Sequence, residues 1–148
     1  MQCIIILITM VKLMLSIDER IKLFIEDAKT FLKEAIKEFE SGIGENNHYK
    51  IRDSVEKAWN AVIQASNALI LKFMNKIPSS HWERRRLLRE LERKYPELEN
   101  YGFRDRYLAR ERNLHEIVFY EGIIDIEDIK VEFEKVKKYI KDIEKLIK

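Results

Sequence analysis

The side chains in this 148-residue chain that could move protons or hold phosphate are three histidines and a run of arginines. His48, His81 and His115 share no metal-ligand spacing, and neither HExxH nor the paired ExxH motifs of a di-iron bundle is present. Metal catalysis is therefore not expected. With no glycine-rich phosphate loop and no serine elbow, P-loop hydrolysis is set aside as well, and no cofactor is implied. What remains is the run Arg110, Glu111, Arg112, Asn113, Leu114 and His115, an RxxxxH. Five positions along an α-helix turn through about 500°, leaving Arg110 and His115 about 140° apart on the wheel and about 7.5 Å apart in rise. Such a pair flanks a groove rather than stacking on one face. His115 could take or give a proton near neutral pH, while Arg110 or Arg112 could hold a phosphate and stabilise charge developing on it. Cleavage of RNA by attack of its own 2′-hydroxyl needs these two services and no metal.

The charge distribution points the same way, weakly. The net charge is +2, yet from Glu83 to Arg112 ten Lys or Arg face seven Asp or Glu, and nine of the eleven arginines lie there. Arginine's planar fork suits phosphate, so Arg84, Arg85, Arg86, Arg89 and Arg106 join Arg112 as candidate substrate-binding residues. Plainer roles stay open. A histidine four residues after Glu111 can form a local helical hydrogen bond, and a surface arginine is usually solvated. The residues thus fit a ribonuclease, a catalytically silent binding module for nucleic acid, a nucleotide or a protein, or a dimerisation domain whose charges serve solubility.

The elements that must position these residues are helices. Ser16 with Glu19 forms a capping-box signature, after which Ile17, Ile21, Phe24, Ile25, Ala28, Leu32, Ala35 and Phe39 recur at spacings of three and four until Gly42 and Gly44. A second helix is predicted from Tyr49 to Ile77, closed by Pro78. Its apolar stripe is broad, which makes it the most central. Ser80 with Glu83 repeats the capping signature before an arginine-rich helix reaching Tyr95. A loop is predicted over Pro96 to Gly102, then a fourth helix from Phe103 to Phe119 ending near Gly122, and a fifth from Asp125 to the C-terminus. Low glycine and proline content and short connections give an all-α, up-and-down antiparallel bundle of four to five helices.

Residues 1–15 read separately from the bundle domain at 16–148. Cys3 to Leu15 is apolar apart from Thr9 and Lys12, but shorter than the ~20 residues a membrane helix requires, so no membrane association is expected. Met1 and Gln2 do not make a secretory signal, and Met10 or Met14 is an alternative start. If the segment is part of the mature chain, it is an extra packing element or an oligomer contact. Cys3 is the lone cysteine, which excludes an intramolecular disulfide and fits a reducing cytoplasm. Abundant Ile, Lys and Glu with only two Gln resemble the composition of proteins from hot environments.

An up-and-down bundle with a late-helix RxxxxH resembles the HEPN superfamily. Two stretches are similar to its archaeal PaREP-type branch: Tyr49 to Trp59, and Leu114 to Gly122, where His115 is followed by Phe119, Tyr120 and Glu121. The resemblance implies a homodimer whose motif helices face one another across a shared cleft. It also implies metal-independent RNA cleavage by Arg110 and His115, and pairing of a toxin with a nucleotidyltransferase antitoxin. Glu111 departs from the small polar residue common after the motif arginine. In a dimer, one subunit's arginine could work with the other's histidine.

Overall fold

A computed structural model describes the backbone of residues 1–148 and the side chains of residues 1–10 and 15–148. The elements in chain order are α1 (Gln2–Met14), α2 (Ile17–Gly44), α3 (His48–Met74), α4 (His81–Lys94), α5 (Pro96–Glu99), α6 (Phe103–Arg110), a π-helical segment (Glu111–Tyr120) and α7 (Ile126–Ile147). Among the described residues there is no strand. The architecture is all-helical as expected, but there are more helices than the four to five anticipated. The additions are α1 and the single turn α5, which Pro96 opens by supplying a preset φ where no amide donor is needed.

Local chemistry sets the boundaries. Ser16, Asn47, Ser80 and Asp125 each cap a helix by accepting a hydrogen bond from the amide three residues on. In α4 the return half of the capping box is displaced by one residue: Glu83 Oε2 accepts from the amide and hydroxyl of Ser79 instead of the Ser80 amide. The second predicted helix stops at Met74, three residues short of Ile77, because Asn75 adopts a left-handed conformation (φ 54°) and caps it.

α2 and α3 form a long antiparallel hairpin, and α3 runs through the centre, packing also against α4, α6, the π-helical segment and α7. A side chain at Gly42 would lie 2.9 Å from Ile51 Cγ1, so glycine is what allows α3 to start so close to α2. Ala58, Ala61, Ala65 and Ala68 are all buried in α3 and let its neighbours approach closely. Phe39 meets Phe133 edge to face at 5.1 Å. Deep in the α3–α7 contact, Ser66 Oγ and Tyr139 Oη share a 2.6 Å hydrogen bond, and burial pushes the Tyr139 phenol well above its usual pKa.

The helix α1 stands apart from this core. Ile4, Ile5, Ile6, Leu7 and Ile8 are all exposed, Leu7 by 62%. Met14, one of the two alternative starts, lies outside the residues whose side chains are described. No helix among the described residues is long and apolar enough to cross a membrane.

Candidate functional site

The predicted fourth helix begins as an α-helix and then changes its winding. From Glu111 the bonding shifts to i→i+5, and the change persists to the end, where the Glu121 amide donates to the Glu116 carbonyl at 2.9 Å. π-Winding is rare, and where it occurs, mostly as single-turn bulges within α-helices, it is frequently at functional sites. It also alters the motif geometry, because the 140° computed for an ideal α-helix does not hold across wider turns.

Two pins from α3 hold that winding. Arg52 Nε and Nη2 donate to the Phe119 carbonyl at 3.0 and 2.6 Å, and Nη2 reaches the Tyr120 carbonyl at 3.3 Å. The guanidinium caps the end of the segment at its orphan carbonyls, as a cation at a helix C-terminus should. Gly122 follows at φ 70°, a left-handed conformation that favours glycine, and packs beside the Arg52 guanidinium. The second pin is Glu56, whose two carboxylate oxygens accept from His115 Nδ1–H at 3.1 and 2.9 Å. The two stretches that carry the family resemblance, 49–59 and 114–122, are therefore packed against each other. In the sequence Glu56 belongs to the first of those stretches and Trp59 to both that stretch and the apolar stripe of the second helix, and neither is marked there as a site residue.

His115 sits in a ring of aromatic groups. Trp59 stacks on it at 5.7 Å, Tyr120 meets it edge to face at 4.8 Å, and His81 approaches at 5.3 Å. The His115 side chain is 15% exposed and that of Glu56 23%, so the dyad lies at the edge of solvent. Desolvation of the Glu56 carboxyl raises its pKa, and the hydrogen bond from His115 opposes the rise. With Nδ1–H held by Glu56, the unshared pair of His115 is on Nε2.

His81 carries the opposite arrangement. Arg84 Nη1 donates to His81 Nδ1 at 3.2 Å, which places the remaining proton on Nε2. Burial, and then the charge of Arg84, hold the His81 pKa below that of an ordinary histidine, so the ring is neutral. Arg84 is itself buried, donating from Nε to Asn67 Oδ1 at 2.9 Å and from Nη1 to Tyr107 Oη at 3.4 Å. The Trp59 indole N–H lies buried beside both histidines without a hydrogen-bond partner.

The arginine half of the motif lies elsewhere. Arg110 is only 5% exposed and forms an ion pair with Glu132 of α7, whose other oxygen accepts from Asn113 Nδ2 at 3.1 Å. Glu111 is equally buried and pairs with Arg85 of α4. Among the described residues no hydrogen bond or ion pair joins Arg110 to His115. Of the other candidates, Arg112 is solvent-exposed and loosely paired with Glu116 at 3.7 Å, while Arg106 reaches Asp142 of α7 at 3.0 Å. Arg86 pairs with Glu90 at 2.9 Å, and Arg89 is exposed. The structure thus brings together His115, Glu56, Trp59, His81 and Arg84, and directs Arg110 and Arg106 toward α7. Among the described residues no group of three His, Cys, Asp or Glu could hold a metal ion.

An all-helical bundle with a carboxylate-oriented histidine on a π-wound segment, beside a second, neutral histidine, is the class that fold and site define. A family model described as the Archaeal PaREP1/PaREP8 family matches residues 23–140. The chain belongs to that family, and the matched span contains Glu56, His81, His115 and Glu132. No curated protein and no solved structure matches it.

Proposed function

We propose that this chain is a metal-independent RNA endonuclease of the HEPN kind, working as a homodimer, with His115 as its proton-transfer group. The observation that carries the reading is the Glu56–His115 dyad beside His81. Glu56 fixes the tautomer of His115, so Nε2 can take the proton of a ribose 2′-hydroxyl. The 2′-oxygen then attacks the adjacent phosphorus and the P–O5′ bond breaks. The leaving 5′-oxygen recovers a proton from the imidazolium, giving a 2′,3′-cyclic phosphate and a 5′-hydroxyl. Neutral His81 offers Nε2–H to a phosphoryl oxygen, which stabilises developing charge without repelling the imidazolium. Arg110 is a positioning residue here, tying the motif segment to α7 through Glu132. The exposed Tyr120, whose ring meets His115 edge to face, supports docking of a second copy at this edge.

The test is incubation of the purified protein with single-stranded RNA in the presence of a chelator. Cleavage with cyclic-phosphate ends is expected, and His115→Ala should slow it by about 10²–10⁴-fold. Retained cleavage in that variant would remove His115 from the mechanism. Light scattering showing only monomer would remove the homodimer. Co-purification with a nucleotidyltransferase would support the toxin arrangement that the HEPN resemblance implies.

A second reading has its own support. Arg110 and Glu111 are both buried in ion pairs, which leaves the motif arginine unavailable beside His115 within one subunit. A module that binds RNA without cutting it fits that arrangement, and RNA binding without cleavage would favour it.

A further inference from the structure

On α4, Trp82, Arg85, Arg86 and Arg89 fall at positions i, i+3, i+4 and i+7 and form one stripe. With Arg104 of α6 they line a cleft of about 260 Å³ that no carboxylate lines. Trp82 is 64% exposed, an unusual setting for the largest apolar side chain, and the Arg86 guanidinium lies 5.4 Å over its ring. Two of the four arginines are already compensated, Arg85 by Glu111 and Arg86 by Glu90. Among the described residues no carboxylate stands within ion-pair distance of Arg89 or Arg104. The cleft therefore combines an exposed stacking surface with two guanidinium groups that make no ion pair, the nearby Glu92 carboxylate accepting from the Arg104 backbone amide at 3.1 Å. It lies on the same helix as His81, and Arg85 connects it to the π-helical segment that carries His115 by pairing with Glu111.

We infer that this cleft is a subsite for one nucleotide of single-stranded RNA neighbouring the one held at His81 and His115. The base stacks on Trp82, with Arg86 over the same ring, and the flanking phosphates lie against Arg89 and Arg104. Stacking on an aromatic platform within a basic groove is how single strands are held without base-specific readout. This inference rests on RNA being the ligand, as proposed above, but not on the chain cutting it.

Intrinsic fluorescence provides the test, because Trp82 is exposed and the only other tryptophan, Trp59, is fully buried. The full chain carrying His115→Ala is titrated with a ten-nucleotide oligouridylate. Saturable quenching is expected, with affinity falling as salt rises. Adding Trp82→Ala should weaken binding about tenfold or more, read by competition with a labelled oligomer, and Trp82→Phe should restore most of the loss by keeping a ring to stack on. Arg89→Ala and Arg104→Ala should each lower the slope of log affinity against log salt by about 0.7. Unchanged affinity in Trp82→Ala, unchanged slopes in both arginine variants, or equally tight binding of uridine monophosphate would overturn the inference. The two readings fail separately: absent cleavage with Trp82-dependent binding removes only the nuclease, whereas cleavage with Trp82-independent binding removes only the subsite.

Discussion

Arg110 and His115 begin and end one short motif, yet the molecule treats them differently. Arg110 turns inward to Glu132, with Asn113 completing the carboxylate's partners, and almost none of it meets solvent. His115 turns toward α3, held at one nitrogen by Glu56 and otherwise surrounded by aromatic rings at the edge of solvent. The first arrangement is that of a structural clamp. The second is that of an oriented base. Spacing in a sequence identifies residues that travel together, whereas the partner opposite each one decides whether it is available for chemistry.

Substitutions at the two ends should separate these roles. Arg110→Ala leaves Glu132 as a buried carboxylate without its ion-pair partner, and should cost about 3–5 kcal/mol in chemical denaturation. Replacing both partners with methionine should recover most of that loss. If Arg110→Ala unfolds at the parent midpoint, the clamp is not structural. Glu56→Gln probes the other end. It keeps the shape but loses the carboxylate that orients His115, so cleavage should slow by about 10–100-fold with a smaller change in stability. A rate equal to the parent's would mean that His115 needs no orienting partner.

A pH experiment sharpens the comparison further. The folded state holds the His81 pKa below its ordinary value of 6.5, so below that pH the unfolded chain binds more protons and folding stability falls. Glu56, with a raised pKa, acts in the opposite sense: above its ordinary value of 4.5 the folded state binds more protons, and stability falls as pH rises through its folded pKa. His81→Asn should therefore lose less Tm than the parent between pH 7 and pH 5. An identical pH dependence would place the acid sensitivity elsewhere. The smallest effect is expected at Arg112, which is exposed and weakly paired: Arg112→Ala should change stability by at most about 0.5 kcal/mol.

The helical plan was legible in the sequence because it depends on short-range chemistry. The capping residues Ser16, Ser80 and Asp125 and the apolar stripes of α2, α3 and α7 act over one or two turns, and those turns are contiguous in the chain. The π-winding was not legible, because i→i+4 and i→i+5 bonding use the same residues and the choice is held by Arg52 and Glu56, about sixty positions away. The burial of Arg110 did leave a trace. It lies three residues after Tyr107 and four before Leu114, on the apolar stripe, and Glu132 likewise lies three after Ile129 and four before Val136. Opposite charges on two facing stripes announce a buried pair once both stripes are known to face each other. His81 gave no such sign, since its role depends on a ring from another helix.

The grip of Arg52 and Glu56, one turn apart on α3, has a consequence for how the chemistry could be silenced. The winding of residues 111–120 belongs to α3 as much as to the segment. A peptide spanning residues 103–122, freed from α3, should rewind as an ordinary α-helix and swing the imidazole to a different azimuth. Loosening the first turns of α3 would do the same in the intact chain, disarming the site without altering a single reacting group.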